Sequence, residues 1–367
     1  MRYILGIDIG TTAIKGAVIG EDGKIYGTKT SEYPLTTLPT GEVEADLQLY
    51  INAFTQSIKG AVEDAKVDVA DIKCVGFSST AETCVFLDKY NEPLCKVIAW
   101  MDTRATKEAE YLTAHFDKKD IINKVGFDGI YAIHPVSKIL AVKNKNPEIF
   151  EKTRMFAQIK DYFIYRLTGE YYTDHSTASD HGFFDITNRC YWNEMLEFTG
   201  IKEEYLPKLV EPGTELGTIS REAALEFGLD PETKINVGAF DQGCGAIGAG
   251  NTKPGIASES TGSALVTVAT IDALNPDSQG DVPTLCSGIP GKYMYQPYCT
   301  GSIIMKWYRD IFCEAEKMVE EQTGLNAYTQ MDEMVKATPA GADGLIMLPY
   351  FQGSGIPELN EKAEGVY

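Results

Sequence analysis

The chain has 367 residues, enough for two ordinary domains, and a composition of 44% apolar and 23% charged residues that suits a globular protein. With 33 Lys and Arg against 53 Asp and Glu, its net charge of −20 repels phosphate backbones and argues against nucleic acid as a partner; a small phosphorylated ligand stays open, because glycine amides and magnesium reverse the field locally. The eight cysteines are scattered without a Cys-x-x-Cys pair and only four histidines are present, so zinc and a disulfide framework are not expected, whereas reduced thiols in a cytoplasmic protein are.

Tyr3–Ile9 reads as an apolar strand that runs into Gly10-Thr11-Thr12 and leaves on a second strand. Side chains alternate along a strand, which puts Tyr3, Leu5, Ile7 and Ile9 on one buried face and Gly6, Asp8 and Gly10 on the other. Asp8 therefore stands between two bare backbone positions, a setting that suits a carboxylate held over a phosphate or its magnesium ion. An edge hairpin whose Asp caps its own turn has the same composition. Asp22-Gly23 marks a hairpin turn and Lys24–Thr28 a third strand. Three antiparallel strands at the start argue against a Rossmann opening, which needs a helix directly after the first strand.

Asp46–Ala65 has helical spacing of Leu47, Tyr50, Ile51, Phe54 and Ile58. Strands are expected at Ile72–Phe77, Thr83–Leu87 and Val97–Trp100, and helices at Ala105–Phe116, Val136–Lys143 and about Met155–Leu167. A short strand from Ile235 meets a helix carrying Gly243, Gly245 and Gly248, each costing about 1 kcal/mol relative to Ala, which suggests close approach by a backbone or ligand. Asp241 sits where that strand gives way to the helix, either as an N-cap or as a general base facing a cleft. Thr252–Gly255 reads as a link, after which Gly255–Thr267 repeats the pattern of strand, Gly-hydroxyl turn and strand. No stretch of 18 apolar residues and no signal peptide are visible, so no membrane partner is expected.

These residues resemble the FGGY family of carbohydrate kinases, within the actin, hexokinase and sugar-kinase superfamily. The matching segments, in order, are Gly6–Thr12, Trp100–Arg104, Lys160-Asp161-Tyr162, Arg166–Glu170, Thr173-Asp174, Ala178-Ser179, Gly238–Gln242, Gly262-Ser263, Gly301–Trp307 and Leu348-Pro349-Tyr350. The resemblance implies an α/β fold of two ribonuclease-H-like (actin-like ATPase) lobes with an interlobe cleft. Residues 1–250 would form the sugar-binding lobe with the first phosphate loop, and residues 251–367 part of a nucleotide-binding lobe. It further implies ATP-dependent phosphorylation of a sugar or polyol hydroxyl, with ATP and Mg2+ as cofactors and a homodimer left open. Asp241 resembles the general base and Asp8 the carboxylate that positions magnesium. Gly10, Thr11, Thr12 and Lys15 resemble the first phosphate loop. Gly262, Ser263 and Gly301 resemble nucleotide contacts. Ala81, Glu82, Trp100, Asp241 and Gln242 resemble sugar-binding positions.

Three departures stand out. Glycerol kinases typically carry Arg-Glu and xylulokinases Met-His where this chain has Ala81-Glu82, so neither substrate follows. The family's Pro-x-x-Lys-aliphatic-x-Trp signature becomes Pro135–Ala141 without the Trp, from which local repacking is expected. Family members run well beyond Tyr367, so the second lobe is expected to be incomplete and the activity of a chain ending there doubtful. A non-catalytic sugar-binding or regulatory module derived from such a kinase is the alternative.

Overall fold

The structure is a computed structural model describing residues 1–261, 264–275, 280, 282–301, 303–350 and 363–366. The chain divides into two compact units, one of Met1–Ile256 with Thr270–Met294 and one of Ala257–Ala269 with Tyr295–Tyr367.

The first unit is built on a six-stranded sheet. Strands β1 (Tyr3–Ile9), β2 (Ala13–Gly20) and β3 (Ile25–Glu32) form the expected antiparallel meander, with Gly23 in the turn at φ +77°. Helix α1 (Leu47–Ala65) follows; β4 (Ile72–Ser79) then pairs parallel with β1. Further along the chain come β5 (Cys84–Leu87), α2 (Thr106–His115), α3 (Pro135–Lys145), β6 (Met155–Gln158) and α4 (Ile159–Thr168). Strand β7 (Glu215–Thr218) pairs antiparallel with β8 (Lys234–Phe240), and β8 lies parallel to β4. The sheet order is therefore β7-β8-β4-β1-β2-β3, the mixed ribonuclease-H-like arrangement.

Leu5, Ile7 and Ile9 are buried on one face of β1 as alternation requires, and α1 covers them with Tyr50, Phe54 and Ile58. Phe54 is the hub, stacked on Phe163 at 3.9 Å between centroids and edge-on to Phe227 at 5.4 Å. Truncating such a buried ring to Ala costs about 3–5 kcal/mol. The segment Met155–Leu167 is not one helix. Met155–Gln158 pairs antiparallel with β5, and the helix begins only at Ile159. Apolar periodicity over so few residues does not separate strand from helix, and the neighbouring β5 edge decides it.

In the second unit the strand pair expected after the link is present. Strand β9 (Ala257–Thr261) pairs antiparallel with β10 (Ala264–Ile271), which also pairs with β11 (Tyr298–Thr300). Helices Ile303–Phe312, Glu314–Thr323 and Ala327–Ala337 follow. All eight cysteines are free. Among the described residues, no helix is long and apolar enough to cross a membrane.

Candidate active site

Three parallel strands, β1, β4 and β8, run side by side and carry Asp8, Glu82 and Asp241 at or just past their carboxyl ends. In open α/β sheets this is where ligands bind. The register sets the surroundings of Asp8. Its cross-strand partners are Lys15 on β2 and Ser78 on β4, and side chains at paired positions share a face. Lys15 Nζ lies 3.2 Å from Asp8 Oδ2, and Ser78 donates its hydroxyl to Asp8 Oδ1 at 2.9 Å. The carboxylate is oriented from both sides, yet 36% of its side-chain surface stays open.

The adjoining turn is also fixed. Gly10 N–H donates to Ala13 O, and the Tyr33 hydroxyl donates to Gly10 O. Trp100 Nε1 donates to Thr11 Oγ1 at 2.8 Å. Trp100, assigned to the sugar, and Thr11, assigned to the phosphate loop, are thus hydrogen-bonded to each other. Thr11 keeps its own O–H to donate elsewhere.

Asp241 is the first residue inside helix α5 (Asp241–Gly248); Phe240 occupies the cap position, and no side chain caps it. Its direction is set by a bulge in β8, where the register with β4 shifts between Asn236 and Ala239. Gly238 makes this possible, since at φ +69° a Cβ would lie 1.8 Å from Phe77 O. A buried network then grips the next peptide. Lys160 pairs with Asp174, which also accepts from the Ser176 and Thr177 hydroxyls. Ser176 Oγ, its proton committed to Asp174, accepts Phe240 N–H at 3.0 Å. Of the helix glycines, Gly243 meets a backbone, with a Cβ there only 3.0 Å from Gly288 N, whereas Gly245 and Gly248 face open space.

Asp241 is half-buried, and its shielded Oδ1 has no hydrogen-bond partner among the described residues. Burial first, then the negative charge of Asp8, raises its carboxyl to about 7, while Gln242 and Lys15 pull the other way. Glu82 is buried too, and burial opposed by Lys138 raises it to about 8, with Asp241 adding to the rise. Its backbone sits at φ +62°, a conformation that costs a non-glycine residue about 1–3 kcal/mol. Lys138 holds it there. This fully buried ammonium donates to the carbonyls of Glu82, Ala99 and Trp100 at 2.8, 2.9 and 3.0 Å. Burial drives His134 and His181 down to about 3 each, so both are neutral at neutral pH and weak as bases.

Residues 3–248 match the N-terminal domain of the FGGY family of carbohydrate kinases. The chain belongs to this family. It is 28% identical to the xylulose kinase of Bacillus subtilis (strain 168) over 368 residues, covering all of this chain and 71% of that protein. The gluconokinase of the same strain is 29% identical over 372 residues, with the same coverage. Among solved structures, a ligand-bound xylulose kinase from Lactobacillus acidophilus superposes with a TM-score of 0.89 at 27% identity, over all of this chain and 72% of that one.

Against the FGGY motifs, the first unit brings together Asp8, Gly10, Thr11, Thr12, Lys15 and Trp100, and it sets Asp241 in electrostatic contact with Asp8 and Glu82. Gln242 is half-buried beside Asp241, and Ala81 is fully buried. Gly301 lies in the second unit, where its carbonyl accepts Ile304 N–H at 3.2 Å. Gly262 and Ser263 fall outside the described residues. Sequence reasoning missed two participants. Lys138 was visible in its motif without a role, and Ser176 carried no spacing signal at all.

Proposed function

We propose that this FGGY kinase transfers a phosphoryl group from ATP to a hydroxyl of a sugar or polyol, with Asp241 as general base and Asp8 positioning magnesium. Residues 1–250 would supply the sugar site and first phosphate loop, and residues 251–367 nucleotide contacts that include Gly301. Gly262 and Ser263 are assigned to the same contacts on the resemblance. The observation that carries the proposal is the pairing of two unlike carboxylates. Asp8 is open and oriented by Lys15 and Ser78, whereas Asp241 is half-buried, has a shielded, unpartnered oxygen and is raised to about 7. Environments as unlike as these give the two acids separate roles.

Asp8 fits magnesium. It is a hard oxygen donor with lone pairs to spare, in line with a metal bound through one carboxylate, several waters and substrate phosphates. Among the described residues no group of three or more His, Cys, Asp or Glu is set to hold a metal, and such binding does not need one. When bound, magnesium would neutralise phosphate charge.

The protein's own part is positioning and proton transfer. Asp241 accepts the hydroxyl proton at a carboxylate oxygen as the new O–P bond forms and the bond to the ADP oxygen breaks. A base with a pKa near the working pH is both ionised and basic enough to take that proton. Glu82, protonated at neutral pH, offers an O–H to a substrate oxygen. A pure sugar-binding module would gain nothing from a half-buried carboxyl raised to about 7. Phosphorylation of ketoses, polyols and aldonates, followed by ADP release and by sugar-phosphate formation, tests the proposal. ADP release without a phosphorylated sugar would refute it.

A further inference from the structure

Asp180 is a buried carboxyl that no motif explains. We propose that it contacts the substrate and that, together with Glu82, it selects uncharged polyhydroxy compounds over sugar acids. This rests on the reading of Asp241 as the base of the same pocket. Asp180 lies two residues past the short helix His175–Ala178 and is 4% exposed. Its Oδ2 has no hydrogen-bond partner among the described residues.

Other buried aspartates of this unit accept hydrogen bonds, and even Asp161, whose Oδ1 has no partner among the described residues, accepts Gln158 N–H at 2.8 Å. Asp102 accepts from Arg104 and from Val43 N–H, and Asp174 from Lys160, Ser176 and Thr177. A carboxyl kept for structure has partners of this kind, because leaving one buried and unpaired is costly. Asp180 therefore awaits a partner from outside the chain.

Its placement says which. The next residue, His181, accepts Val136 N–H at 3.0 Å in the first turn of α3, and Lys138, two residues further on, grips the Glu82 carbonyl. Asp180 and Glu82 are thus tied to the same turn of helix. Asp180 also senses the charge of Glu82 and of Asp241, and Glu82 that of Asp241. Burial first, then those two neighbours, pushes the Asp180 carboxyl well above the usual range. A protonated carboxyl at Asp180 or Glu82 presents one O–H donor and one acceptor, the pattern that matches vicinal hydroxyls. A substrate carboxylate would add negative charge beside Asp241, which must ionise to work. Lys138 offers that carboxylate no hydrogen bond, since its three protons go to three carbonyls.

The test uses wild type, D180N, D180A and D241N on a ketose, a polyol and the aldonate of equal chain length. ADP release gives KM and kcat, and calorimetry without nucleotide gives sugar affinity. Wild type is expected to favour an uncharged substrate over its aldonate by roughly tenfold or more in kcat/KM. D180A is expected to raise KM by roughly tenfold or more, with kcat within about threefold. D180N, which keeps a donor and an acceptor in the same shape, is expected to hold KM within about threefold and to melt no lower than wild type. A D180A enzyme with wild-type KM and sugar affinity, or an aldonate as the preferred substrate, overturns the inference. D241N reports separately on the base, because full turnover in that variant would sink the catalytic reading whatever Asp180 does.

Discussion

Asp241→Asn should make the protein more stable and less active at once. In the fold the carboxyl rises from its ordinary 3.8 to about 7, chiefly through burial. A carboxyl raised in the folded state contributes stability that is fully present below its unfolded pKa and is lost as pH rises through its folded pKa. By pH 8 that loss amounts to as much as about 4 kcal/mol, at about 1.4 kcal/mol per pH unit between 3.8 and 7. Asparagine has nearly the same shape and no charge to bury. Urea denaturation should therefore show D241N more stable than wild type at pH 8, with the gap closing toward pH 4. Turnover should fall by about 10²–10⁴-fold, or about 3–5 kcal/mol of barrier, the contribution of a general base. A variant that is less stable than wild type at pH 8, or one that retains wild-type turnover, would refute the reasoning.

Two further outcomes follow from the hydrogen bonds around the site. Ser176→Ala leaves Phe240 N–H without its acceptor, so the peptide that aims Asp241 is no longer held. Steady-state assays should show kcat down roughly tenfold or more with sugar KM little changed, and Ser176→Thr should restore much of it; a shift confined to KM would contradict a positioning role. Trp100→Phe removes the 2.8 Å bond to Thr11 Oγ1. It should raise KM for ATP by about 2–12-fold through a loosened phosphate turn, and a change in sugar KM alone would place Trp100 on the sugar instead.

The parts of the site that follow from alternation were legible in the sequence. Leu5, Ile7 and Ile9 must be buried, so Asp8 must face the other way between Gly6 and Gly10, and it does. Asp241 was legible only as a choice between a cap and a base. Neither its bulge at Gly238 nor its unpartnered oxygen is a property of spacing. Asp180 was invisible because its meaning comes from burial beside Glu82 and Asp241, residues 98 and 61 positions away in the chain. Lys138 was seen but not understood, since its three acceptors are carbonyls, which any residue supplies. The strand Met155–Gln158 was misread as helix because only its partner β5 distinguishes the two.

The dependence of kcat/KM on pH in the wild-type enzyme bears most directly on the role of Asp241. With Asp241 raised to about 7, an acid limb centred near that pH is expected if it is the base, falling about tenfold per pH unit below it. A rate that stays flat from about pH 5 to 9 would show that no group of this pKa takes the proton, and Asp241 would not be the base.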